Sequence, residues 1–82
     1  TSTQEKDSLI VITLNLEKKV FIDGKFIDTP KLENELISRV SKSQNKKVVL
    51  RADKKISYGE VVNILDILRK IENIKIGIST ES

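Results

Sequence analysis

Apolar and polar residues alternate with a period of two in three stretches of the chain, which predicts three β-strands. The stretches are residues 9–17, 48–53 and 74–79. In the first of them, one side is apolar throughout and consists of Ile10, Ile12, Leu14 and Leu16. The other side begins apolar, with Leu9 and Val11, and then becomes polar. Two hypotheses follow: the strand is covered on both faces at its beginning, or its outer face or edge meets another chain.

A turn sequence separates two short apolar runs in residues 20–27, which read VFI-DG-KFI. Asp23-Gly24 between apolar triplets predicts a β-hairpin, since a type I′ turn needs positive φ at both central residues. A two-residue loop pairs Phe21 with Phe26, a contact worth about 0.2–1 kcal/mol over an alanine pair. We predict that this pair packs in the core. Base stacking is the alternative, although no nucleic-acid-binding motif accompanies it.

Two stretches show the helical period of 3.6 residues. The first begins at Thr29-Pro30, a good N-cap followed by a residue suited to the first helical position. Its predicted buried stripe is Leu32, Leu36, Ile37 and Val40. The second covers residues 57–72 and begins with a capping box, in which the Ser57 hydroxyl accepts the Glu60 amide and the Glu60 side chain reaches back. Its predicted buried stripe is Val61, Ile64, Leu65, Leu68 and Ile71.

The order of elements is strand, hairpin, helix, strand, helix, strand. This order predicts an α/β (α+β) two-layer sandwich, a mixed sheet with two helices on one face. Residues 48–80 form a strand–helix–strand unit, which is almost always right-handed. Residues 1–8 are polar without periodicity, so we expect a flexible leader followed by one domain in residues 9–82.

Composition excludes several classes of protein. The chain has 82 residues, enough for one domain, with 38% hydrophobic and 33% charged residues and a net charge of +3. This charge is weak evidence for an anionic partner. The absence of cysteine excludes disulfides and thiolate metal sites, and the absence of histidine removes the commonest general base. No apolar run approaches the roughly 20 residues that span a bilayer.

No catalytic motif is present in the sequence. The three glycines are scattered, so no glycine-rich phosphate loop exists, and a Ser/His/Asp triad needs histidine. Asp53 and Asp66 are the carboxylate candidates, but Asp53 is expected to end a strand and Asp66 to lie on a solvated helix face. We therefore predict no catalytic, cofactor-binding or metal-binding residues, and no enzyme activity.

Seven residues in the second half of the chain carry a resemblance to a known protein family. They are Ala52, Asp53, Tyr58, Val62, Asp66, Leu68 and Gly77. In residues 48–80 the chain resembles the periplasmic domain of the ExbD/TolR family of biopolymer-transport proteins. Arg-Ala-Asp-Lys at 51–54 and Lys-Ile-Gly at 75–77 are more similar to the ExbD branch. Members often carry glycine before the last strand, where this chain has Glu72 or Asn73, and we expect Asn73 to end the helix.

The resemblance implies a non-enzymatic, dimeric subunit of a bacterial inner-membrane motor driven by the proton-motive force. Family members have one transmembrane helix with an essential Asp, which is not in this chain, so residues 1–8 are expected to be its linker. The implied partners are a channel subunit of the ExbB/TolQ type and TonB or TolA. A TolR-like role with peptidoglycan contact is the nearest alternative. A small nucleic-acid-binding domain is the alternative from another class, and we predict no nucleic-acid partner.

The expected contacts with a second copy or with a TonB-like protein lie on strand edges, where backbone groups are unpaired. On the first strand they are Leu9 and Val11. On the last strand they are Lys75, Gly77 and Ile78, with Ile78 on the side opposite to the other two. We also predict that Ile67 is unusually exposed and contacts a partner, the alternative being a wide buried helix face.

Overall fold

The structure, a computed structural model, describes residues 9–42, 47–72 and 74–81. The predicted leader (1–8) and Asn73 lie outside the described residues. Five strands and two helices follow one another along the chain. They are β1 (Ile10–Leu14), β2 (Val20–Ile22), β3 (Lys25–Ile27), α1 (Thr29–Lys42), β4 (Lys47–Asp53), α2 (Tyr58–Arg69) and β5 (Lys75–Glu81).

The strands form a mixed sheet in the order β3-β2-β1-β4-β5. β1, β4 and β5 are parallel to one another. On the other side of β1, β2 pairs with it in antiparallel orientation, and β3 pairs antiparallel with β2. The sheet and the two helices confirm the predicted α+β sandwich with a mixed sheet.

Burial alternates along the strands because both helices pack on the same side of the sheet. Ile12 and Leu50 are fully buried, whereas their neighbours Thr13 and Val49 are half-buried. The buried side packs with both helices into one core in which, among the described residues, every buried side chain is apolar. We name the opposite side the open face. Its residues include Val11, Thr13, Phe21, Phe26, Lys47, Val49, Arg51, Asp53, Lys75, Gly77 and Ser79.

Helix α1 buries a narrower stripe than its sequence predicts. Leu32, Leu36 and Val40 are buried at a spacing of four residues, but Ile37 is 45% exposed, so its predicted burial is wrong. One position beyond Leu36 turns a side chain by about 100° around the helix, away from the stripe. The helix also starts earlier than predicted. The Lys31 amide donates to the Asp28 carbonyl at 2.8 Å, so Thr29, the predicted N-cap, already lies inside the first turn.

Helix α2 begins at the predicted Ser57 cap and ends earlier than predicted. The predicted return contact of the Glu60 side chain with the Ser57 amide is wrong, because that side chain meets Lys18 instead. The Ser57 hydroxyl accepts the Glu60 amide at 3.4 Å, and the Glu60 carboxylate lies 3.6 Å from the Lys18 ammonium. The helix ends at Arg69 instead of residue 72. The Lys70 amide donates to the Ile67 carbonyl at 3.2 Å, a contact three residues back that tightens and closes the last turn.

Strand β1 is shorter than predicted because an asparagine turn ends it. The Asn15 side-chain oxygen accepts the amides of Glu17 at 3.0 Å and Lys19 at 2.9 Å. Lys18 has a positive φ of 67°, which reverses the chain. Leu16 therefore falls in the turn, where it is 56% exposed, and its predicted place on the buried side of the strand is wrong.

The β2–β3 hairpin has the predicted turn and pairing. Asp23 and Gly24 have φ of 50° and 87°, and the Phe21 and Phe26 rings meet edge to face with centroids 5.8 Å apart. The prediction that this pair packs in the core is wrong. Val20 occupies the buried side of β2, so Phe21 points to the open face, and Phe26 is 51% exposed.

The Asp23 carboxylate joins the hairpin turn to its surroundings. One oxygen accepts the Val11 amide at 3.0 Å, and the other lies 3.3 Å from the Arg39 guanidinium, which also contacts Glu35 at 2.9 Å. Asp23→Ala should lower the free energy of unfolding by about 1 kcal/mol, because the exposed hydrogen bond to the Val11 amide is lost. Urea denaturation measures this loss. Asp23→Asn, which keeps an acceptor and tolerates positive φ, is the control and should lose less. A loss below about 0.5 kcal/mol for the alanine variant would contradict the role of this contact.

Candidate functional site

The longest free edge of the sheet is β5. Among the strands of the described chain, β5 pairs with β4 on one side and has no neighbour on the other. The opposite edge is β3, which has only three residues, and short edge strands resist pairing with other chains. β5 has seven residues and contains no proline. It therefore offers the more extended edge for another strand to pair with.

Strand β1 is not an edge. It pairs with β2 on one side and with β4 on the other, so the hypothesis that its edge meets another chain is wrong. The reason is the hairpin, which folds back onto β1 and covers the side that β4 leaves free. Even at Val11, beyond the last ladder pair with β2, the amide and the carbonyl are bound by the Asp23 side chain and amide.

The side chains of β5 alternate as predicted. Lys75, Gly77 and Ser79 lie on the open face, opposite Lys47, Val49 and Arg51 of β4. Ile76 and Ile78 lie on the other side. Ile76 packs against the core, whereas Ile78 is 56% exposed although its β4 neighbour Leu50 is fully buried. The edge of β5 that no further strand covers therefore presents a branched apolar side chain, Ile78.

The predicted contact residues in and beside the strands fall in three places. Lys75, Gly77 and Ile78 lie together on the β5 edge. Leu9, 39% exposed, precedes β1, and Val11 is half-buried on the open face, at the centre of the sheet.

Ile67 is half-buried and packs against the core, so its predicted exposure is wrong. It lies three residues after the buried Ile64, and this spacing places both on one face of α2.

The two acids considered for catalysis have structural roles. Asp53 ends β4, where its carboxylate accepts the Lys55 amide at 2.8 Å and its carbonyl accepts the Ile56 amide at 2.9 Å. Asp66 is exposed on α2 and lies 3.3 Å from the Arg69 guanidinium. The predicted strand end and solvated helix face are confirmed for these two residues.

The other motif residues divide between core and surface. Ala52 and Leu68 are buried in the core, and Val62 is half-buried on α2. Tyr58 is 79% exposed at the start of α2. The sequence analysis selected Tyr58 by spacing and missed its exposure. This exposure could have been predicted from the position of Tyr58 next to the N-cap, three residues before the apolar stripe begins.

A groove of about 460 Å³, which the sequence analysis also missed, lies where β1 and β4 end. Its lining is Thr13, Leu14, Asn15, Leu16, Glu17, Arg51, Ala52 and Asp53. The carboxyl ends of parallel strands meet at one edge of a sheet, which is the signal that could have located it. The side-chain oxygens of Asn15 and Asp53 already accept turn amides, so they hold the groove walls in place.

No group of acidic residues in the described part of the chain has a geometry that could hold a metal ion. Within the same residues, neither helix has the length and hydropathy needed to cross a bilayer.

A family model described as "Biopolymer transport protein ExbD/TolR" matches residues 1–82, the whole chain. A comparison with curated proteins finds no match.

Proposed function

The chain belongs to the ExbD/TolR family of biopolymer transport proteins, and we propose that it is the periplasmic domain of an ExbD-like subunit. The family's membrane-anchored proteins are energy-transduction subunits of the cell envelope. In this proposal the domain catalyses no reaction. It dimerises and binds a TonB-like protein, and the motor to which it belongs uses the proton-motive force to energise outer-membrane transport.

The observation that carries the proposal is the free edge of β5. A second copy can add its own β5 in antiparallel orientation about a two-fold axis, which makes one continuous sheet across both copies. Main-chain hydrogen bonds supply affinity in this arrangement. The exposed Ile78 side chains of the two copies then lie on the same side of the joined sheet and can set the register.

The same edge suits an extended segment of a TonB-like protein. One edge accepts one strand at a time, so the second copy and the partner segment compete for it. Capture of the partner therefore requires the dimer to open at β5, and release allows it to close. This competition is the conformational step that we propose for the motor. The ExbB/TolQ-like channel subunit would act on it through the family's transmembrane helix.

The ExbD branch is preferred on the residues of β4 and β5. Arg51-Ala52-Asp53-Lys54 and Lys75-Ile76-Gly77 are more similar to that branch than to TolR. Sedimentation of the domain with insoluble peptidoglycan separates the two roles. An ExbD-like domain should stay in the supernatant, and co-sedimentation would favour the TolR-like role in envelope integrity.

Single cysteines test the β5 edge, since the chain has none of its own. Gly77→Cys, Ile78→Cys and Ser79→Cys are made separately and oxidised mildly. Directly opposed residues of antiparallel strands have Cα atoms about 4.5–5.5 Å apart, within the range of a disulfide. We expect covalent dimer from the position nearest the two-fold axis, and little from its neighbours.

Ile37→Cys is the matched control, because Ile37 is also an exposed isoleucine but lies on α1. It should form covalent dimer only slowly. Sedimentation of the unmodified domain, with and without a TonB-like periplasmic segment, completes the test. Strand addition at β5 is wrong if every β5 cysteine behaves like Ile37→Cys and the segment does not bind.

A further inference from the structure

Four exposed lysines lie at the end of the sheet where its parallel strands begin. Lys47 and Lys75 are the first residues of β4 and β5 and are directly opposite each other. Lys42 ends α1 and Lys70 caps α2. Each of these two stands five residues before one of the strands, which limits its distance from the strand to about 18 Å. We name Lys42, Lys47, Lys70 and Lys75 the basic end.

Acidic residues do not neutralise the basic end. Its four ammonium groups make no ion pair with any residue in the described part of the chain. Asp66, in the last turn of α2, lies 3.3 Å from the Arg69 guanidinium. Glu72 is exposed in the connection between α2 and β5 and is the acidic residue that the structure describes there. An excess of positive charge therefore remains at this end of the sheet.

The fold explains only part of the basic end. Lys42 and Lys70 stand at helix C-termini, where the helix dipole favours a cation. Lys47 and Lys75 have no such reason to be basic. Neighbouring strands are about 4.8 Å apart, and like charges at opposed positions repel. This lysine pair therefore destabilises the isolated fold, and binding to an anionic surface would relieve the repulsion.

An exposed leucine lies at the same end. Leu9 is 39% exposed and precedes Ile10, which pairs with Val48, so Leu9 lies beside Lys47. Exposed apolar side chains among lysines are typical of surfaces that bind lipid headgroups, because the ammonium groups bind the phosphates and the apolar groups reach the acyl boundary. This combination favours a membrane over a purely polar anion as the partner.

We propose that the basic end, together with Leu9, docks on the anionic phospholipid headgroups of the membrane that holds the family's transmembrane helix. The inference rests on the proposed function, because it takes that helix to lie upstream of Leu9. The upstream chain then joins the sheet at the same end that carries the lysines. Docking sets the parallel strands along the membrane normal, with their first residues at the membrane. The groove where β1 and β4 end then points away from the membrane.

Docking has a consequence for a dimer joined at β5. Antiparallel pairing turns the two basic ends in opposite directions, so one membrane can bind the basic end of only one copy. Docking of both copies requires the pair to open, which is also the step that capture of a partner segment requires. The anionic lipid surface would therefore favour the open form.

The probe is a vesicle of phosphatidylglycerol that carries a small fraction of lipid with a gadolinium-chelating headgroup. It is added to the ¹⁵N-labelled 82-residue chain, and the gadolinium broadens the amide signals nearest to the lipid. We expect the strongest broadening at residues 47–48, 69–72 and 75–76. The weakest should be at residues 16–19 and 53–56, about 20 Å away along the strands. Phosphatidylcholine vesicles with the same chelate should have little effect, and added salt should reverse the broadening.

The double variant with Lys47→Gln and Lys75→Gln tests the basic end. It should fold, because it removes a repulsion between exposed side chains, and it should bind the vesicles at least about tenfold more weakly. The matched control carries Lys54→Gln and Lys55→Gln. These lysines are also exposed and their replacement changes the net charge equally, but they follow β4 at the opposite end. The affinity of the control should change little.

The proposal is overturned if the vesicles broaden no signals, or if broadening is strongest at residues 16–19 and 53–56. Equal losses in the two double variants would also overturn it, because net charge alone would then explain the binding. Binding of a single-stranded DNA oligonucleotide through the same residues, without vesicle binding, would assign the basic end to nucleic acid instead. Cysteine cross-linking at β5 is measured without vesicles, so failure of the proposed function there and failure of docking are separate results.

Discussion

Replacing Leu68 with alanine is expected to lower the free energy of unfolding by about 2–5 kcal/mol. Leu68 is fully buried on α2, in the core formed by the helices and the covered side of the sheet. Truncation removes its apolar contacts and leaves a cavity that the fixed backbone cannot close. Domains have only about 5–15 kcal/mol of stability, so this one change removes a large share of it.

Urea denaturation followed by circular dichroism measures the change. Asp66→Ala is the control on the same helix, because Asp66 is exposed and its contact with Arg69 is a surface ion pair. That variant should lose less than about 1 kcal/mol. If Leu68→Ala also lost less than this, the packing of α2 on the sheet described above would be wrong.

Replacing Ile78 with lysine is expected to weaken self-association about a hundredfold. Ile78 is 56% exposed, so the charge stays in water in the monomer and folding is retained. In a dimer joined at β5, two ammonium groups would lie near the axis on one side of the sheet. Like charges brought together at an interface cost several kcal/mol, and a hundredfold corresponds to about 2.7 kcal/mol.

Sedimentation velocity over a range of concentrations gives the dimer dissociation constant. Ile37→Lys introduces the same charge at an exposed isoleucine of α1 and should leave the constant unchanged. Equal effects of the two variants would point to net charge and not to the edge. No effect of either would remove β5 pairing as the basis of the dimer.

Local patterns were sufficient to predict the elements and their order. The Asp23-Gly24 turn, the Ser57 cap and the alternation in β4 each depend on neighbouring residues alone, so sequence periodicity reveals them. The fold class followed because helices that alternate with strands can pack onto a sheet in few ways.

The errors arose where the outcome depends on distant parts of the chain. Alternation shows that a strand has two faces but not which face is covered, and the phenylalanine pair was therefore placed on the wrong side. Ile37 and Ile67 lie on helix flanks, where burial depends on how closely a neighbour packs. That β1 is an interior strand depends on the hairpin folding back onto it, which no local pattern encodes.

The candidate site was predictable in part. The edge position of β5 follows from its place at the end of a strand–helix–strand unit. The opposition of Lys47 and Lys75 depends on the register between two parallel strands, which a sequence does not show. The room for a side chain at Gly77 is also visible only in the structure, because it depends on how β4 and β5 pack side by side.

The parallel order of β1, β4 and β5 has a mechanical consequence. β1 begins at the end of the sheet where Lys47 and Lys75 lie, and β5 finishes at the opposite end. Tension applied between Leu9 and Glu81 is therefore directed along the strands. It loads the hydrogen bonds of the β1–β4 and β4–β5 ladders in shear, all at once, instead of opening them one after another. A domain pulled from its two ends in this way resists unzipping.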